Sequence, residues 1–333
     1  MAYDYDVAVY LGSLPKIANH NLKVQVMRAF ADGATRAGAR VWIGPERELK
    51  RARLAVMIGW IGMNFSGPHI YFLQDIVNHQ KSIGGRVMPI DGSCFKFHDR
   101  GNDWLRYSLD NVFYNTGEYA NNGANDEKWN AISQDLNLKC KNWKTSGEHI
   151  LICLQRDSGW NSKGFDQPSW LEKTIKVIRA HTQQKIYIRP HPANKINWNI
   201  FANRFDEVYD IDSTIRTLQQ DLEQASAGVF FNSSSSVAAV LEGVPVFVGD
   251  ESAVTWKVAN HTTRNIDNPL TPDRTQWLNE LASCHWTLDH SRNGDIYKHD
   301  GLSFGEVVSS EFDLTVGQYF NFQGDKMAVS DDG

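Results

Sequence analysis

Cysteine is scarce in this chain: four in 333 residues, at positions 94, 140, 153 and 284. No two stand at the spacing of a metal site, and their scatter does not suggest a disulfide framework. A reducing, cytoplasmic setting is expected. Long apolar runs are missing too. The longest, Leu54 to Met63, is broken by Gly59 and Gly62. It falls well short of the roughly 20 residues that cross a bilayer, so no membrane span is expected. The first residues, Met1 to Asp6, hold no basic segment ahead of an apolar one, and no signal peptide is expected. There is no internal repeat and no low-complexity tract beyond four consecutive serines, Ser233 to Ser236.

What is present describes a chain that buries real cores. Hydrophobic residues make up 41% and the mean hydropathy is −0.44. The length suits two α/β domains of ordinary size. The net charge of −5 is unevenly spread: residues 1–100 hold 13 Lys/Arg against 8 Asp/Glu, and the remainder 21 against 31. The basic half contains Lys16, Arg47, Lys50, Arg51, Arg53, Lys96 and Arg100. These are the candidate contacts for a polyanionic partner. A solvated helix face at 47–53 is the competing reading.

Hydrophobic patterning alternates strand and helix from the start. Asp6 to Gly12 reads as a strand, Leu22 to Ala37 as a helix with an apolar stripe, and Arg40 to Gly44 as a second strand. Leu54–Trp60 and Gly85–Asp91 are further strands around a helix at 68–82. The order predicts a doubly wound parallel sheet, in which ligands sit beyond the carboxyl ends of the strands. His20, His69 and Asp91 fall in or beside those strand-end loops. They are the candidate acid–base residues of this half. For Asp91 a turn-forming role before Gly92 is the alternative.

The alternation restarts after a polar boundary at 138–148. Residues 1–140 and 145–300 are therefore expected as two Rossmann-like domains, followed by a tail, 301–333, whose end is expected to be disordered. In the second half His149–Gln155, Lys185–Arg189, Gly228–Phe231 and Val246–Val248 read as buried strands. Helices are expected after Ser169, over 213–225, from Val237 and from Thr271, and one more within 286–300. Three strand-end loops converge if the sheet is parallel: Arg156–Gly164, Arg189-Pro-His-Pro192 and Asn232-Ser-Ser-Ser-Ser236. The last precedes a short helix, whose N-terminal amides favour an anion. Arg156, Lys163, Arg189 and His191 would add donors or positive charge. His191 is braced between two prolines, which hold the chain extended.

Arg189–Pro192 followed by Asn232–Ser236 and Gly243-Val-Pro-Val246 resembles the C-terminal half of GT-B glycosyltransferases. The likeness is greatest to transferases that build capsule polysaccharide and polysialic acid, which carry a His-Pro motif and a later Ser-Ser motif. It covers roughly residues 185–250 well and the two-domain layout loosely. It implies a GT-B fold, with His191 and Ser233–Ser236 on the phosphates of a nucleotide-sugar donor of UDP or CMP type. That donor is a co-substrate, and no tightly bound cofactor or metal is expected. Many GT-B proteins place a ribose-binding Glu on the helix after this loop. Here the corresponding turn is Val237-Ala-Ala239, and Glu242 lies near the helix end. The strand His149–Arg156 with Gly159-Trp160 is also similar to phage proteins, and tailed phages use GT-B enzymes to glycosylate hydroxymethylated pyrimidines in DNA. That resemblance implies a double-stranded DNA acceptor held by the basic N-terminal half, in the host cytoplasm. A capsule-type glycan is the alternative acceptor. A sugar-nucleotide epimerase and a non-catalytic nucleotide-sugar or DNA-binding module are the alternative functions.

Overall fold

The computed structural model describes residues 2–15, 20–61, 67–95, 103–156, 166–194 and 204–299. Lys16, Lys96, Arg100, Lys163 and the expected tail lie outside them. The first half builds a six-stranded sheet around four parallel strands: β1 (Tyr5–Tyr10), β2 (Val41–Gly44), β3 (Ala52–Ile58) and β4 (Arg86–Asp91). Val7 to Tyr10 and Leu54 to Met57 are fully buried, as near-continuous apolar runs in a sheet covered on both faces should be. Helix α1 (His20–Arg36) connects β1 to β2, and α2 (Pro68–Ile83) connects β3 to β4. Pro68 sits in the first turn of α2, where its missing N–H costs nothing. Gly84 closes the helix at φ 70°, a conformation that favours glycine.

The second sheet has five strands, all parallel, in the order β10-β9-β6-β7-β8. They are β6 (His149–Cys153), β7 (Lys185–Arg189), β8 (Val208–Asp210), β9 (Ala225–Phe230) and β10 (Val246–Val248). One face buries Ile150, Ile152, Ile186 and Ile188 against Leu171, Ile175 and Ile178 of α4 (Gln167–Arg179). Each fully buried isoleucine contributes about 1.5–3 kcal/mol. Between β8 and β9 lies α5 (Leu218–Glu223), and between β9 and β10 lies α6 (Ser235–Leu241). Helix α3 (Glu127–Leu136) precedes the polar boundary.

Three features depart from the sequence expectation. Ser169 does not cap α4: the helix starts two residues earlier, at Gln167 with Pro168 in its first turn, and Asp166 is the cap, accepting from the Ser169 N–H at 3.3 Å. The 213–225 helix shrinks to α5, because Thr217 and Gln220 form a capping box that fixes its start. The third is topological. After α7 (Thr275–Ser283), the residues His285–Thr287 form β11, an antiparallel strand paired with β5 (Trp104–Tyr107), which in turn pairs with β4. The chain thus returns to the first sheet. Helices α8 (Leu288–Asn293) and α9 (Asp295–Lys298) follow, and the turn between them lies against α1. Gly33 of α1 meets Gly294 so closely that a Cβ at Gly33 would overlap the carbonyl oxygen of Ser291.

Candidate functional site

The carboxyl edge of the second sheet is where the sequence places its polar loops. Cys153 is in register with both Arg189 and Phe230, so β6, β7 and β9 end side by side. The strand order reverses between β6 and β9, which makes that crevice the topological switch point. One buried residue ties the loops together. Gln155 donates its backbone N–H to Gln167 Oε1 (2.6 Å), at the start of α4. Its carbonyl accepts from Gln167 Nε2 (3.3 Å) and from Asn194 Nδ2 (2.9 Å), beyond β7. Its side-chain amide donates to Asn232 Oδ1, beyond β9. Asn232 Nδ2 passes the chain of bonds on to Ser252 Oγ (2.9 Å), and the Ser252 N–H reaches Asp250 Oδ1 (2.9 Å). Gln155 and Asn232 are both buried, where unmade hydrogen bonds are costly.

His191 is held in one tautomer. Its Nδ1 accepts the Ala193 N–H (3.1 Å), and its carbonyl accepts the Asn194 N–H (2.9 Å). Burial first, then the nearby Arg156 and Arg189 charges, lower the imidazole pKa below its ordinary value. The ring is therefore neutral at pH 7, with its proton on Nε2 as a donor. Arg189 is spoken for. It is buried, paired with the fully buried Asp221, and donates to the Arg216 carbonyl at 3.0 Å. Arg216 takes the other oxygen of Asp221 at 2.7 Å. Arg156 is exposed at the edge of the described residues.

The four serines divide. Ser236 is fully buried and donates to the Ser233 carbonyl at 2.7 Å, while Thr255 donates to its hydroxyl at 3.0 Å. It holds the turn. The hydroxyls of Ser233 and Ser235 share a hydrogen bond at 2.7 Å and are half-buried; Ser234 is exposed. Ser234, at the N-cap position of α6, makes no side-chain cap. The N–H groups of Ser236 and Val237 go instead to the carbonyls of Ser233 and Ser234, at 3.1 and 3.0 Å. An anion at this turn would meet the hydroxyls of Ser233–Ser235 rather than a row of free helix amides. Glu242 is elsewhere. It lies beyond the carboxyl end of α6, six positions past Ser236, and pairs with Lys141 beside Gln219 and Lys139.

In the first half, Asp91 accepts from Arg106 Nη2 at 2.6 Å and neutralises a buried guanidinium. Half-buried Lys23 lies near it, its pKa lowered by burial and partly restored by the Asp91 charge. His20 opens α1 and donates from Nδ1 to the Pro15 carbonyl at 3.1 Å. In the neutral ring that leaves Nε2 as a lone-pair acceptor, the form a general base needs. His69 sits half-buried in the first turn of α2. The described basic residues do not form one face, and 47–51 is not a helix. Arg47 donates to the Gly12 carbonyl (3.2 Å) at the carboxyl rim of the sheet. Arg51 and Arg53 lie at the opposite end, at the start of β3. Arg51 reaches the Ala2 carbonyl and Arg53 lies 3.6 Å from Asp6. Lys50 pairs with Glu48 at 2.8 Å and lies over the Trp42 ring.

Asp4-Tyr-Asp6 and Asp210-Ile-Asp212 have the spacing of a metal-binding Asp-x-Asp pair, so spacing gives no support to the expected metal independence. Asp6 is paired with Arg40, and Asp212 accepts from Thr214. Among the described residues no group of three or more His, Cys, Asp or Glu is arranged to hold a metal ion. No described helix is long and apolar enough to cross a membrane.

Gln155, Gln167, Asn194, Asp221 and Ser252 were not legible as site residues. A single glutamine or asparagine in a loop carries no motif, and its value here comes from neighbours distant in sequence.

Two doubly wound Rossmann-like sheets, the second with polar loops at its switch point, define the GT-B class of α/β fold. Comparison with solved structures shows the same fold. The β-Kdo 2,4 transferase KpsC of Thermosulfurimonas dismutans superimposes with a TM-score of 0.53 at 10% identity, over 83% of this chain and 89% of that one. The β-Kdo 2,7 transferase KpsC from the same organism gives 0.48 at 12% identity, over 84% and 89% of the two chains. The glycosyltransferase SnogD of Streptomyces nogalater gives 0.26 at 12% identity, over 84% and 78%. No protein-family model and no curated protein matches the sequence.

Proposed function

We propose that the chain is a nucleotide-sugar-dependent glycosyltransferase of the GT-B class. The observation that carries this reading is that the residues following β6, β7 and β9 are tied together through Gln155 at the switch point of the second sheet. That convergence sets the His191 Nε2–H and the hydroxyls of Ser233–Ser235 at one rim. Neutral, fixed donors of this kind suit the phosphate of a UDP- or CMP-type donor, whose negative charge grows as the glycosidic bond breaks. Arg189 and Asp221 shape the rim; Arg156 adds exposed positive charge beside it. His20, with a free Nε2 lone pair, is the base better placed to take the acceptor's proton. Asp91 is occupied by Arg106.

The acceptor we favour is a hydroxyl on a capsule-type glycan. The fold shared with a Kdo transferase supports it, and the described basic candidates of the first half are split between opposite ends of their sheet. A DNA backbone asks for contiguous positive charge, which reverses the preference for a DNA acceptor formed from the sequence alone.

A panel of UDP- and CMP-sugars, offered with glycan acceptors and with hydroxymethylated DNA, tests this by mass spectrometry of the products. Transfer to a glycan is expected. His191→Ala should lower kcat/KM by roughly 100-fold, the scale of one lost transition-state donor. Failure of every donor with every acceptor would overturn the transferase reading.

A further inference from the structure

Asp210 is the last residue of β8, the edge strand next to β7. Its register partner is Ile188, one residue before Arg189, so it flanks the turn that carries His191. It lies two residues on from buried Val208 and therefore on the same face of the strand. Its neighbours are all engaged. Tyr209 donates to Glu207 at 3.0 Å, Asp212 accepts from Thr214, and Arg216 pairs with Asp221. Asp210 is not. Its Oδ1 is buried and has no hydrogen-bond partner, the one carboxylate oxygen of which this holds among the described residues. No cation among the described residues offsets it, and burial pushes its carboxyl up to about 6. A buried carboxylate oxygen without a partner is costly, and native structures hold few of them.

We propose that Asp210 binds the ribose of the donor nucleotide, its carboxylate accepting hydrogen bonds from the vicinal 2′- and 3′-hydroxyls. This inference rests on the donor reading above. A carboxylate offers two oxygens side by side, and a ribose diol offers two O–H donors at matching separation. Distance agrees. β8 lies two strands from β6, roughly 10 Å at ordinary strand spacing, so a phosphate at the His191–Ser233 rim leaves its nucleoside lying towards Asp210. The unmet oxygen would then be satisfied by ligand, and the assignment makes the site selective for ribonucleotides.

The test is calorimetric binding of UMP and CMP against 2′-deoxy-UMP and 2′-deoxy-CMP, with and without EDTA, to the wild-type chain, Asp210→Asn and Asp210→Ala. The wild type should prefer the ribonucleotide by roughly tenfold or more, with no effect of EDTA. Asp210→Ala should lose that preference while still binding the deoxynucleotide as the wild type does; Asp210→Asn should fall between. Equal preference in wild type and Asp210→Ala overturns the assignment, as does a wild type indifferent to the 2′-hydroxyl. Binding abolished by EDTA also overturns it, pointing to a cation at Asp210 instead. A wild type that binds none of the four nucleotides overturns the donor reading itself, a separate failure.

Discussion

With its backbone N–H, its carbonyl and its side-chain amide nitrogen, Gln155 makes four hydrogen bonds that join the residues beyond β6, β7 and β9. No other residue type of that length carries an amide. Gln155→Leu keeps the volume but leaves the Asn232 carbonyl oxygen without this donor in a buried site. The expected cost is about 1–3 kcal/mol, read from urea unfolding, with at least a tenfold rise in the KM for the nucleotide sugar because the serine turn beyond Asn232 loses its tie to Gln155. Unchanged donor KM would show that the loops hold their places without it. His191 and the serine turn were legible because they sit in motifs whose residue types carry the chemistry. Arg189 was read as a ligand for the same reason, yet its partner Asp221 lies 32 positions away.

At the scale of elements, periodicity located β1, β3, β4, β6, β7 and the helices between them, because long buried strands write continuous apolar runs. β11 escaped for the opposite reason. Its three residues are too few to show a period, and its place is fixed by pairing with β5, about 180 residues earlier. The return of the chain also demands close packing between α1 and the α8–α9 turn. Alanine at position 33 would gain up to about 1 kcal/mol of helix propensity. The overlap of its Cβ with backbone at Ser291 should cost about 1–3 kcal/mol or more. Gly33→Ala is therefore expected to be net destabilising by one to two kcal/mol in chemical denaturation; a stabilised variant would refute the tight contact.

For the whole molecule, the two sheets are joined by one core. Phe95, Trp104 and Ile132 from the first part of the chain cluster with Phe230, Val237, Leu241 and Leu281. His285 of β11 is fully buried in this region, donating from Nδ1 to the Leu281 carbonyl (2.8 Å) and accepting the Cys94 N–H (3.0 Å) at Nε2. Burial, then the Arg106 charge, hold its pKa down to about 3. The unfolded ring takes a proton near pH 6.5 and the folded one resists it. Stability from this group is thus complete above pH 6.5 and is lost as pH falls towards 3, by up to about 1.4 kcal/mol per pH unit. His149, His191 and His290 are shifted the same way, each chiefly by burial. Urea unfolding at pH 7 and pH 5 should show the loss, and His285→Gln should flatten it. A variant with the same slope as the wild type would remove His285 from the account.

The position of β11 also bears on synthesis. A ribosome releases the chain from its N-terminus, so every strand of the five-stranded sheet, through Val248, emerges before the first sheet can be finished. Until residue 287 appears, β5 offers an open edge with unpaired backbone groups, the kind of edge that invites wrong partners. Strand β1 thus belongs to the sheet completed last, and the nascent protein must keep the β5 edge covered while everything between Tyr107 and His285 is made.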